Sequence, residues 1–302
     1  MSLLQCKLGT LSLKNPVTVA SGTFGSGKEF MPFYDVGQLG GIMVKGTTLE
    51  KRLGNKPQRL VETCGGVINA IGLANPGVDY FITNILPEIK EYGSEIIVNI
   101  SGSSIEDYGH MAEKLSIEGV SALEVNISCP NVKDGGIAFG TCPDMAGAVT
   151  AMVKKNTDKP VILKLSPNVT DIKIMAQSVE DNGADIISLI NTLIGMAIDV
   201  KTKKPIITNV VGGYSGPPIK PVALRMVYEI YPVVNIPIIG MGGIMNTKDA
   251  LEFMMAGATA ISVGAANFVD PFIPLNIIDG INKYCKDEGL FHYSEIIGIA
   301  HQ

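Results

Sequence analysis

EIIVNIS (95–101), ALEVNIS (122–128), VILKLS (161–166) and IISLINT (186–192) follow one another through the middle of the chain, each a short β-branched run. Between them lie SIEDYGHMAEKLSIEG, DMAGAVTAMVKKN and DIKIMAQSVEDNG, segments of helical character. Strand alternating with helix implies parallel strands joined by crossover helices. The rhythm extends outward in both directions. PVTVA (16–20) and GIMVKG (41–46) come before, and KPVALRMVYEIYPVV, IPIIGMGG (236–243), NTKDALEFMMAG and AISVGAA (260–266) come after. Eight continuous apolar strands need cover on both faces, which a closed barrel supplies better than an open sheet.

The fold expected is therefore α/β, a (β/α)8 TIM barrel. On length alone, 302 residues would suggest two domains, but one barrel with insertions also spans them, and residues 1–302 are read as a single domain. Two gaps, 47–94 and 193–235, are too long for one crossover. Both follow the C-terminal end of a strand, so their extra residues should fold over the C-terminal face, where barrel enzymes work. The leading CKLGTLSLKNP reads as an N-terminal hairpin plugging the other end.

Hydrophobic residues make up 46% and charged residues 18%, which excludes intrinsic disorder. Lys and Arg total 24 against 29 Asp and Glu, for a formal charge of −5, so nucleic acid is not an expected partner. The uncharged run from Ile230 to Thr247 is broken by Pro232, Asn235 and Pro237 and reads as a buried strand with its loops, not a membrane span. The opening MSLLQCKLGTLSLKNP has no basic region, apolar core or cleavage site, so a cytoplasmic location is expected. Cys6, Cys64, Cys129, Cys142 and Cys285 are scattered and include no CxxC pair; neither a disulfide framework nor a metal site is expected.

The C-terminal residues of barrel strands project into one shared site. In strand order they are Ser21, Lys45, Asn99, Asn126 with Cys129, Lys164, Asn191 with Thr192, Gly242 with Gly243, and Gly264. Any one of them could be an ordinary loop group, but together they make a polar ring of amides and amines. Gly240–Gly243 after the seventh strand and Val263–Ala265 after the eighth suggest a phosphate site, because small residues let backbone N–H groups approach oxygens. Gly22–Glu29 nearly spells a P-loop, but Glu29 stands where the metal-binding hydroxyl belongs, so nucleotide hydrolysis is rejected.

His110 falls on a helix and His292 and His301 fall in the tail, so a base must come from elsewhere. Cys129 lies just beyond the fourth strand, where a thiol beside amides and cations can act as base or nucleophile; a structural cysteine is the competing reading. Lys164 stands in an otherwise apolar strand, and Lys is rarely buried unless paired. Its ammonium would suit a delocalised anion, or it could be a Schiff-base nucleophile; Lys45 offers the same choice.

ASGTFGSGKEF (20–30), IMVKGTT (42–48), GGVINAIGLANPG (65–77), LEVNISCPNVKDGG (123–136), ILKLSPNVTDI (162–172), SLINTLIG (188–195), GGYSGPPIKPVAL (212–224), IPIIGMGGI (236–244) and ISVGAANF (261–268) together resemble class 1 dihydroorotate dehydrogenases, within them the NAD-linked 1B type. The likeness runs from about Leu8 to Phe272. It implies an FMN barrel that oxidises dihydroorotate to orotate in pyrimidine synthesis. Cys129 matches the family's base, which takes a proton from C5 of the substrate. Lys45, Asn69, Ala70, Ile71, Gly72, Leu73, Asn126, Asn191 and Thr192 match substrate-binding positions. Ser21, Lys45, Gly46, Asn99, Asn126, Lys164, Ile190, Gly216, Gly242, Gly243, Gly264 and Ala265 match FMN-binding positions. The resemblance also implies a partner subunit carrying FAD and a [2Fe-2S] cluster, and a homodimer of barrels within a heterotetramer. The segment from Cys285 to Gln302 does not match the pattern. Rival readings are a fumarate-linked 1A-type enzyme, a dihydropyrimidine dehydrogenase-like subunit, a Schiff-base aldolase using Lys164, and a phosphate-binding module without turnover.

Overall fold

A computed structural model of the chain describes residues 2–128 and 139–302. In chain order its strands are β1 (Cys6–Leu8), β2 (Leu11–Leu13), β3 (Val17–Val19), β4 (Gly41–Thr47), β5 (Leu60–Thr63), β6 (Gly66–Asn69), β7 (Glu95–Ile100) and β8 (Ala122–Asn126). The later half adds β9 (Val161–Lys164), β10 (Ile186–Leu189), β11 (Leu193–Gly195), β12 (Ile198–Asp199), β13 (Lys204–Pro205), β14 (Gly212–Ser215), β15 (Ile238–Met241) and β16 (Ala260–Val263). Strands β3, β4, β7, β8, β9, β10, β15 and β16 pair in that order and close into a barrel, every pair parallel. These are the eight runs read from the sequence. Their side chains are almost wholly buried, since a parallel barrel strand is covered inside by its neighbours and outside by helices.

The helices are α1 (Val78–Tyr80), α2 (Leu86–Ile89), α3 (Ile105–Leu115), α4 (Pro143–Lys155), α5 (Ile172–Asp181), α6 (Lys220–Ile230), α7 (Thr247–Met255) and α8 (Ile273–Asp287). Helix α3 starts where its sequence dictates: Ser104 accepts from the Asp107 N–H while the Asp107 carboxylate accepts from the Ser104 N–H, a capping box. One crossover departs from the ideal repeat. Between β3 and β4 the chain forms only a 3-10 turn at Val36–Gln38, without an α-helix.

Strands β1 and β2 pair antiparallel, Cys6 opposite Leu13, and form the expected hairpin. It closes the N-terminal end of the barrel. The Cys6 thiol donates to the Thr259 carbonyl just before β16, and Tyr293 from the tail donates its hydroxyl to the same oxygen. Within the segment after Cys285, His292 and Tyr293 meet the plug, the Tyr293 N–H bonded to the Leu3 carbonyl and the His292 ring to that of Gln5, while Gly298 and His301 pack against α6 and α7. At the opposite end the two long insertions do not cover the barrel separately. Strands β5 and β6 from the first and β11 and β14 from the second make one antiparallel sheet in the order β11, β14, β6, β5.

Candidate active site at the barrel mouth

Two charged side chains are buried inside the barrel, one strand apart. Glu124 on β8 is fully buried and Lys164 on β9 is 6% exposed, and their Oε2 and Nζ atoms lie 3.4 Å apart. The same Glu124 oxygen accepts from Asn99 Nδ2 on β7 at 2.6 Å, and Oε1 accepts from Ser188 Oγ on β10 at 2.9 Å. The paired register explains the convergence: Asn99 stands opposite Glu124, and Ser188 opposite Lys164. Lys45, from β4, faces the same space. Burial, and then the nearby Arg59 and Lys164 cations, hold its ammonium below the usual lysine range. Among the described residues the mouth therefore holds a buried Lys164–Glu124 pair, with Lys45 and Arg59 near enough for their positive charges to be felt.

A second group is built from amides. Asn191 Nδ2 donates to Asn126 Oδ1 at 3.0 Å, and the Ser128 N–H donates to the same oxygen. The Thr192 N–H donates to Asn191 Oδ1, and the Thr192 carbonyl accepts from Asn168 Nδ2. The insertion sheet brings Asn69 to this group, its Nδ2 donating to the Gly213 carbonyl at 3.3 Å. Gly213 itself lies against Thr192, leaving no room for a Cβ. Residues Ala70 to Leu73 are held by Asn55, whose N–H donates to the Ile71 carbonyl and whose Nδ2 donates to that of Ala70. Leu73 reaches Gly46, where a Cβ would sit 3.4 Å from Leu73 Cδ2 and 2.9 Å from Asn99 Oδ1.

The glycine-rich side divides in two. Gly242 and Gly243 both have positive φ, and a Cβ on Gly243 would lie 2.8 Å from Lys220 and 2.9 Å from the Gly216 carbonyl. Packing on α6 accounts for both. Gly216, φ 114°, likewise abuts Gly66. Gly264 differs, because a Cβ there would meet only Ala20 Cβ, at 3.8 Å. Ala265 opens the turn that follows Gly264, and buried Ser21 follows Ala20 after β3, the strand paired with β16. Ile190 completes the ring, its N–H donating to the Met241 carbonyl.

The substrate and cofactor positions named from the sequence fall on barrel strands, in the turns after them or in the two insertions, and Cys129 falls outside the described residues. Three participants were missed. Glu124 carried a usable signal, a charged residue in an apolar strand, the same one that exposed Lys164. Ser188 is too ordinary in a strand to stand out. Arg59 sits in an insertion, where nothing local distinguishes it. Among the described residues no group of three His, Cys, Asp or Glu side chains could hold a metal, and no helix is long and apolar enough to cross a membrane.

A closed parallel barrel whose strand ends combine a buried lysine with an amide cluster has the architecture of a barrel enzyme. A family model described as dihydroorotate dehydrogenase matches residues 3–285. The chain is 56% identical over 299 residues to a protein of Desulforamulus reducens named dihydroorotate dehydrogenase B (NAD(+)), catalytic subunit, covering 99% of this chain and 98% of that one. Proteins of the same name from Bacteroides fragilis and Geobacillus kaustophilus are each 54% identical over 299 residues, covering 99% of this chain and 99% and 96% of theirs. The chain belongs to the dihydroorotate dehydrogenase family.

Proposed function

We propose that this chain oxidises (S)-dihydroorotate to orotate in pyrimidine synthesis, with FMN as its own cofactor and residues 1–302 working as one domain. The observation that carries this reading is the buried Lys164–Glu124 pair, with Lys45 close enough to feel Lys164 and Arg59, beside a wall of amides. Lysines beside many amide edges suit a flat anion that carries amide edges itself.

The residues present fit FMN. Asn99 Oδ1 is buried without a partner among the described residues, which calls for a ligand donor such as an imide N–H. The space left beside Gly264 is what a phosphate needs to approach the backbone. Ser21, Lys45, Gly46, Asn99, Asn126, Lys164, Ile190, Gly216, Gly242, Gly243, Gly264 and Ala265 would hold the cofactor, which when bound supplies the acceptor for the hydride leaving the substrate. The remaining work belongs to the chain. Lys45 binds the substrate carboxylate, and Asn69 to Leu73, Asn126, Asn191 and Thr192 orient the ring. Cys129 removes the proton from C5.

The relatives' names support a division of labour in which this chain is the catalytic subunit and NAD is reduced elsewhere. The partner would carry FAD and a [2Fe-2S] cluster, and two barrels would pair within a heterotetramer in the cytoplasm. The test is a visible spectrum of the purified chain, followed by anaerobic bleaching with dihydroorotate and by NADH production at 340 nm. The chain should be yellow, should bleach, and should make NADH only after the partner is added. A colourless folded chain removes the flavin reading. Substantial turnover with fumarate by the chain alone replaces the NAD-linked reading with the 1A type.

A further inference from the structure

Glu124 is the one fully buried acidic side chain among the described residues, and three elements converge on it. Its two carboxylate oxygens meet donors from Asn99, Lys164 and Ser188, on the strand before it and the two strands after it. A carboxylate only accepts, so the Asn99 amide must turn its NH2 toward Glu124 and its oxygen away. That oxygen is the buried acceptor left without a partner among the described residues. Gly46 leaves it open, since any Cβ there would crowd it at 2.9 Å. Lys164 makes a single contact with Glu124, at 3.4 Å, and keeps further N–H groups for a ligand. The floor of the site thus presents an acceptor beside a cation. That pattern matches a ligand edge with an N–H next to an oxygen or an electron-rich nitrogen.

We propose that Glu124 is a positioning residue for the cofactor: it sets the direction of the Asn99 amide, tethers Lys164, and with its negative charge tempers the pull of Lys164 on electrons entering the ring. This rests on the flavin reading above. A purely structural Glu124 would affect folding alone; a positioning Glu124 affects the redox balance of the bound cofactor as well.

The experiment compares FMN retention and the two-electron midpoint potential of the wild-type chain, Glu124→Gln and Glu124→Asp. Gln keeps the shape, accepts from Asn99 and can donate to Ser188, but carries no charge. Glu124→Gln should retain FMN within about threefold while favouring reduced over oxidised flavin about tenfold more than wild type, roughly +30 mV for a two-electron couple. Glu124→Asp keeps the charge but loses reach, so its potential should stay near wild type while FMN dissociates several-fold faster. A flavin-loaded Glu124→Gln with an unchanged potential overturns the proposal and leaves the flavin reading intact. Should Glu124→Gln fail to fold, Glu124→Asp decides, and FMN dissociation at the wild-type rate overturns the proposal. A wild-type chain that neither binds flavin nor bleaches overturns the functional reading, and the role of Glu124 with it.

Discussion

The two ends of the barrel are built from the same eight strands and solve opposite problems. At the N-terminal end Cys6, Leu8, Leu11 and Leu13 are buried, and Tyr293 from the tail is 1% exposed. The polar atoms there meet backbone partners, and burial pushes the Cys6 thiol up to about 12, leaving it inert. At the C-terminal end charges lie buried, Lys45 is held below its usual range by burial and then by neighbouring cations, and polar atoms lack partners among the described residues. The buried unpartnered side-chain atoms among the described residues belong to Tyr34, Thr63, Asn99, Ser101, Ser128 and Asn267. All but Tyr34, which lies in the β3–β4 crossover, belong to the C-terminal ends of barrel strands, the turns after them, or the first insertion. One end minimises free energy by burial; the other holds polar groups ready for ligands.

The sharpest break of that contrast is Cys129→Ser. A hydroxyl is a far weaker acid than a thiol, so flavin bleaching by dihydroorotate near neutral pH should slow by roughly 10²–10⁴-fold, the usual share of a general base, while FMN stays bound. Stopped-flow bleaching at wild-type speed would remove Cys129 from the mechanism. Exposed Cys64, changed to Ser, is the control and should bleach normally.

The plug should answer with stability and not with chemistry. Leu8 is fully buried, and Leu8→Ala should cost ~2–5 kcal/mol of unfolding free energy. Denaturant titration reads that loss, and the bleaching rate of the folded fraction should match wild type. A large rate defect with unchanged stability would couple the two ends.

A pH titration sharpens the description of the mouth. An anionic ligand favours the ammonium form of Lys45, whose pKa is already lowered in the free site. Orotate affinity should therefore be full below that lowered pKa and decline as pH rises through it, at values below the 10.5 of an ordinary lysine. Binding raises the Lys45 pKa and takes up protons in that window, which calorimetry in buffers of different ionisation enthalpy detects. Affinity that rises with pH would place the ligand's charge elsewhere.

The smallest effect belongs to Tyr293→Phe. It removes the hydroxyl donated to the Thr259 carbonyl at 3.0 Å, and a loss of about 0.5–1.5 kcal/mol with no kinetic change is expected. Thermal unfolding of the variant beside Leu8→Ala ranks the two contributions to the plug.

Much of this was legible in the chain as written. The eight barrel strands announce themselves because each must be apolar on both faces, and a buried strand leaves a continuous run in sequence. Lys164 was visible for the converse reason, a charge where none is tolerated unpaired. Cys129 was singled out by position after the fourth strand and by resemblance. What only the tertiary structure decided is who meets whom. Glu124 is one residue in ALEVN until closure brings Asn99, Lys164 and Ser188 around it, and Arg59 bears on Lys45 only because an insertion folds back. The joining of β5 and β6 with β11 and β14 follows from hydrogen bonds between segments more than a hundred residues apart. Periodicity records which face of a strand is buried. It does not record which distant strand lies beside it, because backbone pairing is the same for every sequence and the partner is chosen by packing.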